Sequence, residues 1–140
     1  MRPVIGGEIA WGKTKTELVF SNDGAGALSI FTVTGDVVVR VIPICKVLVA
    51  SAAGANMELG ISADTDAMIG STLATDLDAH EIWIDPTPDS PIETEDSSRN
   101  YIISNGDDII LTLDAQVDTG EVTFYVYWHP LSDDGMVVGV

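Results

Sequence analysis

The sequence is poor in cysteine, in basic residues and in unbroken apolar stretches, and each shortage removes a class of protein. One cysteine, Cys45, in 140 residues excludes an internal disulfide framework. It sits in the apolar run 42–49 with no His or acid beside it in sequence to activate the thiol, so it reads as a buried structural residue. Six Lys and Arg against twenty-two Asp and Glu leave a net charge of −16, a field that repels phosphate backbones and argues against a nucleic-acid partner. No run approaches the roughly eighteen apolar residues of a membrane helix. Residues 1–11 lack the basic and apolar regions of a secretory signal. The expectation is no membrane partner, with synthesis in the cytoplasm and departure only as part of something larger.

Catalytic signatures are missing too. There is no Gly-Xaa-Ser-Xaa-Gly elbow, no His-Glu-Xaa-Xaa-His helix and no phosphate-binding Gly-rich loop. His80 beside Glu81 and His129 before Pro130 therefore have no nucleophile to serve, and neither an enzymatic activity nor a cofactor is expected. Carboxylate pairs for glycoside hydrolysis stay open at this point, because their separation belongs to the fold.

What is present is apolar content and turn chemistry. Hydrophobic residues make up 46% of the chain, too many for a disordered acidic tail, and the length suits one domain. The acid is uneven: through Lys46 five basic residues face four acidic ones, whereas from Val47 onward Arg99 alone faces eighteen carboxylates. That asymmetry has two readings, a solvated acidic surface that resists self-association, or a weakly basic N-terminal third that docks on something.

Short β-rich runs alternate with Gly, Asn and Asp. Residues 28–34 and 37–42 flank Gly35-Asp36, which predicts a two-residue hairpin with Val33 opposite Val38 and Ile30 opposite Val41. Pro43 reads as a bulge or a crossing between sheets. Asn105-Gly106 predicts a turn before residues 109–113, and Asp118-Thr119-Gly120 a three-residue connection with Gly in a left-handed position. Beyond it, Val122, Phe124, Val126 and Trp128 should face the core, with Thr123, Tyr125 and Tyr127 on an outer, amphipathic face. Residues 14–20, 57–61 and 81–84 complete eight to ten strands, residues 66–77 carry a weak helical spacing, and residues 85–100 read as a long exposed loop. These features predict an all-β protein: a single antiparallel β-sandwich or jelly-roll-like domain over 14–140, preceded by an extended N-terminal arm, 1–13.

Three motifs invite chemistry and have plainer explanations. Asp118-Thr119-Gly120 matches the aspartic-protease tripeptide, but Gln116 and Glu121 flank it in what reads as an exposed turn. Paired acids such as Asp64 with Asp66 could serve a hard cation, yet Met68 and Gly70 spoil the EF-hand pattern, and chance clusters are expected among so many acids; no metal site is assigned. Trp83 and Trp128 fit core positions better than a sugar platform, leaving Trp11 the one most free to meet a partner.

The run Phe31-Thr32-Val33-Thr34-Gly35-Asp36-Val37-Val38-Val39, the small-residue stretch Ala50-Ser51-Ala52-Ala53-Gly54-Ala55 and Glu81-Ile82-Trp83-Ile84-Asp85 together resemble small structural proteins of tailed bacteriophages, above all capsid decoration (cement) proteins. The resemblance covers roughly residues 15–90 and fixes no functional residue by position. It implies a virion protein on the outer capsid surface, a homotrimer that clamps neighbouring major capsid protein subunits. On this reading Ile5, Ile9, Trp11, Lys13 and Lys15 would contact the capsid, and Tyr125 and Tyr127 the neighbouring copy. A carbohydrate-binding or adhesin module is the alternative, as is another head-fibre or tail component.

Overall fold

The structure is a computed structural model that describes residues 11–95, 97–104 and 106–140. Ile5, Ile9 and Asn105 lie outside the described residues. Among those described are nine strands: β1 (Gly12–Asp23), β2 (Gly26–Thr34), β3 (Val37–Ala50), β4 (Asn56–Ile61), β5 (Asp64–Leu73), β6 (Tyr101–Ile103), β7 (Ile109–Leu113), β8 (Val117–Pro130) and β9 (Met136–Gly139). They form two antiparallel sheets, β1-β8-β3-β6 and β5-β4-β7-β2-β9, in the all-β sandwich the sequence predicts. Strict alternation builds the layer between them: Val37, Val39 and Val41 of β3 and Ile109, Leu111 and Leu113 of β7 are buried, while the residues between them are only partly covered. Thr16 stitches the β1 and β9 edges together, its hydroxyl donating to the Ile30 carbonyl at 2.6 Å and accepting from the Val140 N–H at 3.1 Å.

Gly35-Asp36 is not a hairpin turn. It carries the chain from one sheet to the other, so β2 pairs with β7 and β9 while β3 pairs with β8 and β6; Val33 faces Val137, and Val41 faces Val126. Local turn chemistry was sound, since Gly35 has φ 64°, but the link is held by distant groups. The Asp36 N–H donates to Ser132 Oγ at 2.9 Å, its carbonyl accepts from the Leu131 N–H at 2.9 Å, and Asp108 Oδ1 accepts from the Val33 N–H at 2.8 Å.

Asp118-Thr119-Gly120 is likewise not a turn but the start of the fourteen-residue β8; the connection is Asp114-Ala115-Gln116, again between sheets. Gly120 answers to close approach: a Cβ there would lie 2.7 Å from Val49 Cα, at φ 126°. Pro43 neither bulges nor crosses, for β3 runs through it in register with Phe124. Its ring nitrogen lies on the side away from β8, where its carbonyl accepts from the Trp83 N–H and the Cys45 N–H donates to the Glu81 carbonyl, both at 2.9 Å. No β8 hydrogen bond is lost, and the irregularities fall later, around Val47.

Two further expectations change. Residues 66–77 form no α-helix; pairing with β4 keeps them in β5 as far as Leu73, and a 3-10 turn, Ala74–Asp76, follows. Residues 81–84 are not a strand either, meeting β3 through one bridge, Ile44 to Ile82. Trp83 is nevertheless fully buried, as expected of a core residue. So is Cys45, whose thiol burial first, then Glu81 and Asp78, push up to about 11, leaving it protonated and inert at neutral pH.

Candidate docking face

The outer face of the β1-β8-β3 layer gathers side chains in cross-strand rows. Lys13, Tyr127 and Arg40 form one row, Lys15, Tyr125 and Ile42 the next, then Glu17, Thr123 and Ile44. The inward partners Val122, Phe124 and Val126 are buried, which turns the intervening tyrosines outward. Lys13 and Lys15, expected to touch a capsid, thus stand directly beside Tyr125 and Tyr127, expected to touch a neighbouring copy. The four residues border one open groove of about 400 Å³. Gly12 and Lys13 already belong to β1, inside the segment expected as an arm. Gly12 is small for a packing reason: a Cβ would come within 2.9 Å of the Trp128 indole, which lies half-buried against the core.

Arg40 and Lys46 also serve this face, and the alternation of β3 carries the signal for both: inward Val37, Val39 and Val41 turn Arg40 outward, and buried Cys45 does the same for Lys46. Lys46 Nζ sits 5.4 Å from the Tyr125 ring centre, a cation–π contact of about 0.5–1 kcal/mol when exposed. Lys15 pairs with Glu17 at 2.8 Å; the hydrogen bond between them raises the ammonium pKa and lowers the carboxyl pKa, though both side chains are exposed and the pair contributes little to stability. Arg40 is held by its own chain, with Nη1 on Glu95 Oε1 at 2.5 Å and Nε on Asn100 Oδ1 at 2.7 Å.

Trp11 extends the face past its first row. It remains 40% exposed and meets His129 edge-on with ring centres 4.6 Å apart. With Arg40, Glu95 and the 42%-exposed Tyr127 it borders a second groove of about 370 Å³.

The charge distribution sharpens the contrast between this face and the rest. Four of the six basic residues, Lys13, Lys15, Arg40 and Lys46, lie in strands of this sheet, where they balance Glu17, Asp23, Asp118 and Glu121, whereas the strands of the opposite sheet carry no basic residue and hold Glu58, Asp64 and Asp66. Because β8 comes from the acidic part of the chain and lies between β1 and β3, folding mixes the two halves of the sequence. The polarity runs between one sheet face and the acidic connections, not between N- and C-terminal portions. Among the described residues no three His, Cys, Asp or Glu side chains converge as metal ligands. The Asp66 carboxyl close to Asp64 instead raises the Asp64 pKa, because two neighbouring carboxyls ionise less readily than one.

No protein-family model matches the sequence, and no curated protein does. Among solved structures, a chain of the acidic stable capsid structure of Helicobacter pylori bacteriophage KHP30 is similar to this one at 15% sequence identity and a TM-score of 0.46, over 94% of this chain and 95% of that one. That likeness is too distant to assign a role.

Proposed function

We propose that the protein is a non-enzymatic structural component of a tailed-phage virion that joins the outer capsid surface as a homotrimer and bridges major capsid protein subunits. The observation that carries this reading is the face itself: cations and exposed aromatics collected on one sheet of a chain with net charge −16. Tyr and Trp beside Lys and Arg suit adhesion, since each combines apolar area with a polar tip. The family resemblance of residues 31–39, 50–55 and 81–85 supplies the kind of assembly. Its capsid contact is the segment ending at Trp11, with Ile5 and Ile9 as apolar anchors and Lys13 and Lys15 at its root.

Removing residues 2–10 tests this, because it spares every described strand. The truncated protein should melt as the full chain does yet fail to co-sediment with capsid shells; full decoration by the truncated protein overturns the arm. Adhesion through burial should also survive about 0.5 M NaCl, where charge contacts are screened to a few ångström.

A carbohydrate-binding module is the second reading, favoured by the Trp11, Tyr127, Arg40 and Glu95 groove, which pairs rings with hydrogen-bonding groups. Saturable quenching of tryptophan fluorescence by a sugar, lost in Trp11→Ala, would favour it over capsid binding.

A further inference from the structure

We propose that the Lys13, Lys15, Tyr125 and Tyr127 groove receives the acidic loop of a second copy of this chain, led by Ile92. The inference rests on the homotrimer reading above, names the contact that makes it, and gives Lys13 and Lys15 to the neighbouring copy, leaving the capsid to the segment that ends at Trp11. Ile92 is 80% exposed, the most exposed large hydrophobic residue among those described, and Asp89, Pro91 and Glu93 surround it in sequence.

The loop is held in shape before any partner arrives. Asp85 Oδ1 accepts from the Thr87 N–H and hydroxyl at 2.8 and 2.9 Å, the Ser90 carbonyl accepts from the Ile82 N–H at 3.0 Å, and Ser90 Oγ accepts from the Ile92 N–H at 3.1 Å. At its far end Arg40 grips Glu95. A loop fixed at both ends loses little freedom when it binds, which favours association.

Charge complementarity selects the occupant. An apolar tip between carboxylates matches two tyrosine rings beside the Lys13 ammonium and the Lys15 ammonium, the second of which also meets Glu17 of its own chain, and this chain carries both surfaces. Its own Ile92 stands in solvent while the loop is tethered at the rim of its own face, so the complementary face must belong to a neighbour. A contact between two different patches is heterologous and closes into a ring when its rotation allows, which is the geometry a trimer requires.

The test measures the oligomeric state of the full chain by sedimentation equilibrium at about 50 µM, a concentration that populates micromolar complexes. The wild type should be trimeric and dissociate more readily in about 0.5 M NaCl. Ile92→Asp, the pair Lys13→Glu with Lys15→Glu, and the pair Asp89→Lys with Glu93→Lys should each weaken assembly at least about tenfold while leaving the melting temperature of the monomer unchanged. All four charge reversals in one chain should restore the trimer, an outcome that simple damage to the fold does not produce. Trimers that persist in every variant overturn this contact and leave the homotrimer standing; a quadruple variant that stays monomeric also overturns it. A monomeric wild type overturns both.

Discussion

Trp83→Ala lowers the melting temperature by about 10–20 °C, the effect of losing roughly 3–5 kcal/mol from a domain of this size. The indole is fully buried, and its Nε1–H donates to Thr72 Oγ1 at 2.9 Å. Its backbone N–H donates to the Pro43 carbonyl, so the residue also pins the segment after Leu77 to the free side of β3. Truncation opens a cavity and removes the donor that Thr72 accepts from, although the Thr72 hydroxyl keeps its own bond to the Gly70 carbonyl. Trp83→Phe separates the two terms: it retains most of the ring and loses the hydrogen bond, costing about 1–2 kcal/mol beyond the small volume change. Denaturant titration of the three proteins checks this, and a loss below about 1 kcal/mol for the alanine variant would remove Trp83 from the core account.

Gly120→Ala destabilises by about 2–5 kcal/mol, combining a strained backbone with a displaced neighbour. Gly26 offers a matched control. Its φ of 136° resembles the 126° of Gly120, but a Cβ at Gly26 meets nothing within 4 Å, whereas at Gly120 it would press on Val49 Cα at 2.7 Å and the Leu48 carbonyl at 3.0 Å. Gly26→Ala therefore carries the conformational strain alone, about 1–2 kcal/mol. The difference between the two variants measures how tightly β3 and β8 close on each other. Equal losses would mean that β3 yields to the methyl group and that close packing is not why position 120 is glycine.

Gly35 and Gly120 illustrate how much of the fold is legible in the sequence. The β-runs, their inward valines and the outward Tyr127 follow from period-two alternation, which is local information, whereas Trp83 is buried although its own segment forms no strand. Strand partners are not local. Gly35-Asp36 has hairpin chemistry, yet β2 finds both neighbours more than seventy residues away, and only Asp108 and Ser132, meeting the turn from afar, reveal that it crosses between sheets. Gly120 reads as a turn residue because sequence cannot distinguish a glycine needed for bending from one needed for contact. The candidate face was half visible for the same reason. Tyr125 and Tyr127 declare themselves by alternation within β8, while their neighbours Lys13 and Lys15 become neighbours only through the pairing of β1 with β8.

That pairing also sets the order in which the molecule can be built. β8 lies between β1 and β3, so the sheet bearing the candidate face has no centre until residues 117–130 are made, and Gly12 meets Trp128 across more than a hundred residues of chain. A ribosome adding about 5–20 residues per second leaves β1 and β3 waiting for several seconds with their apolar sides uncovered. Contacts of such long sequence separation place folding in the slow, millisecond-to-second range of all-β domains. During that interval the carboxylates that accumulate from Glu58 onward keep unfinished chains apart, so the acidic surplus guards synthesis as well as the folded protein.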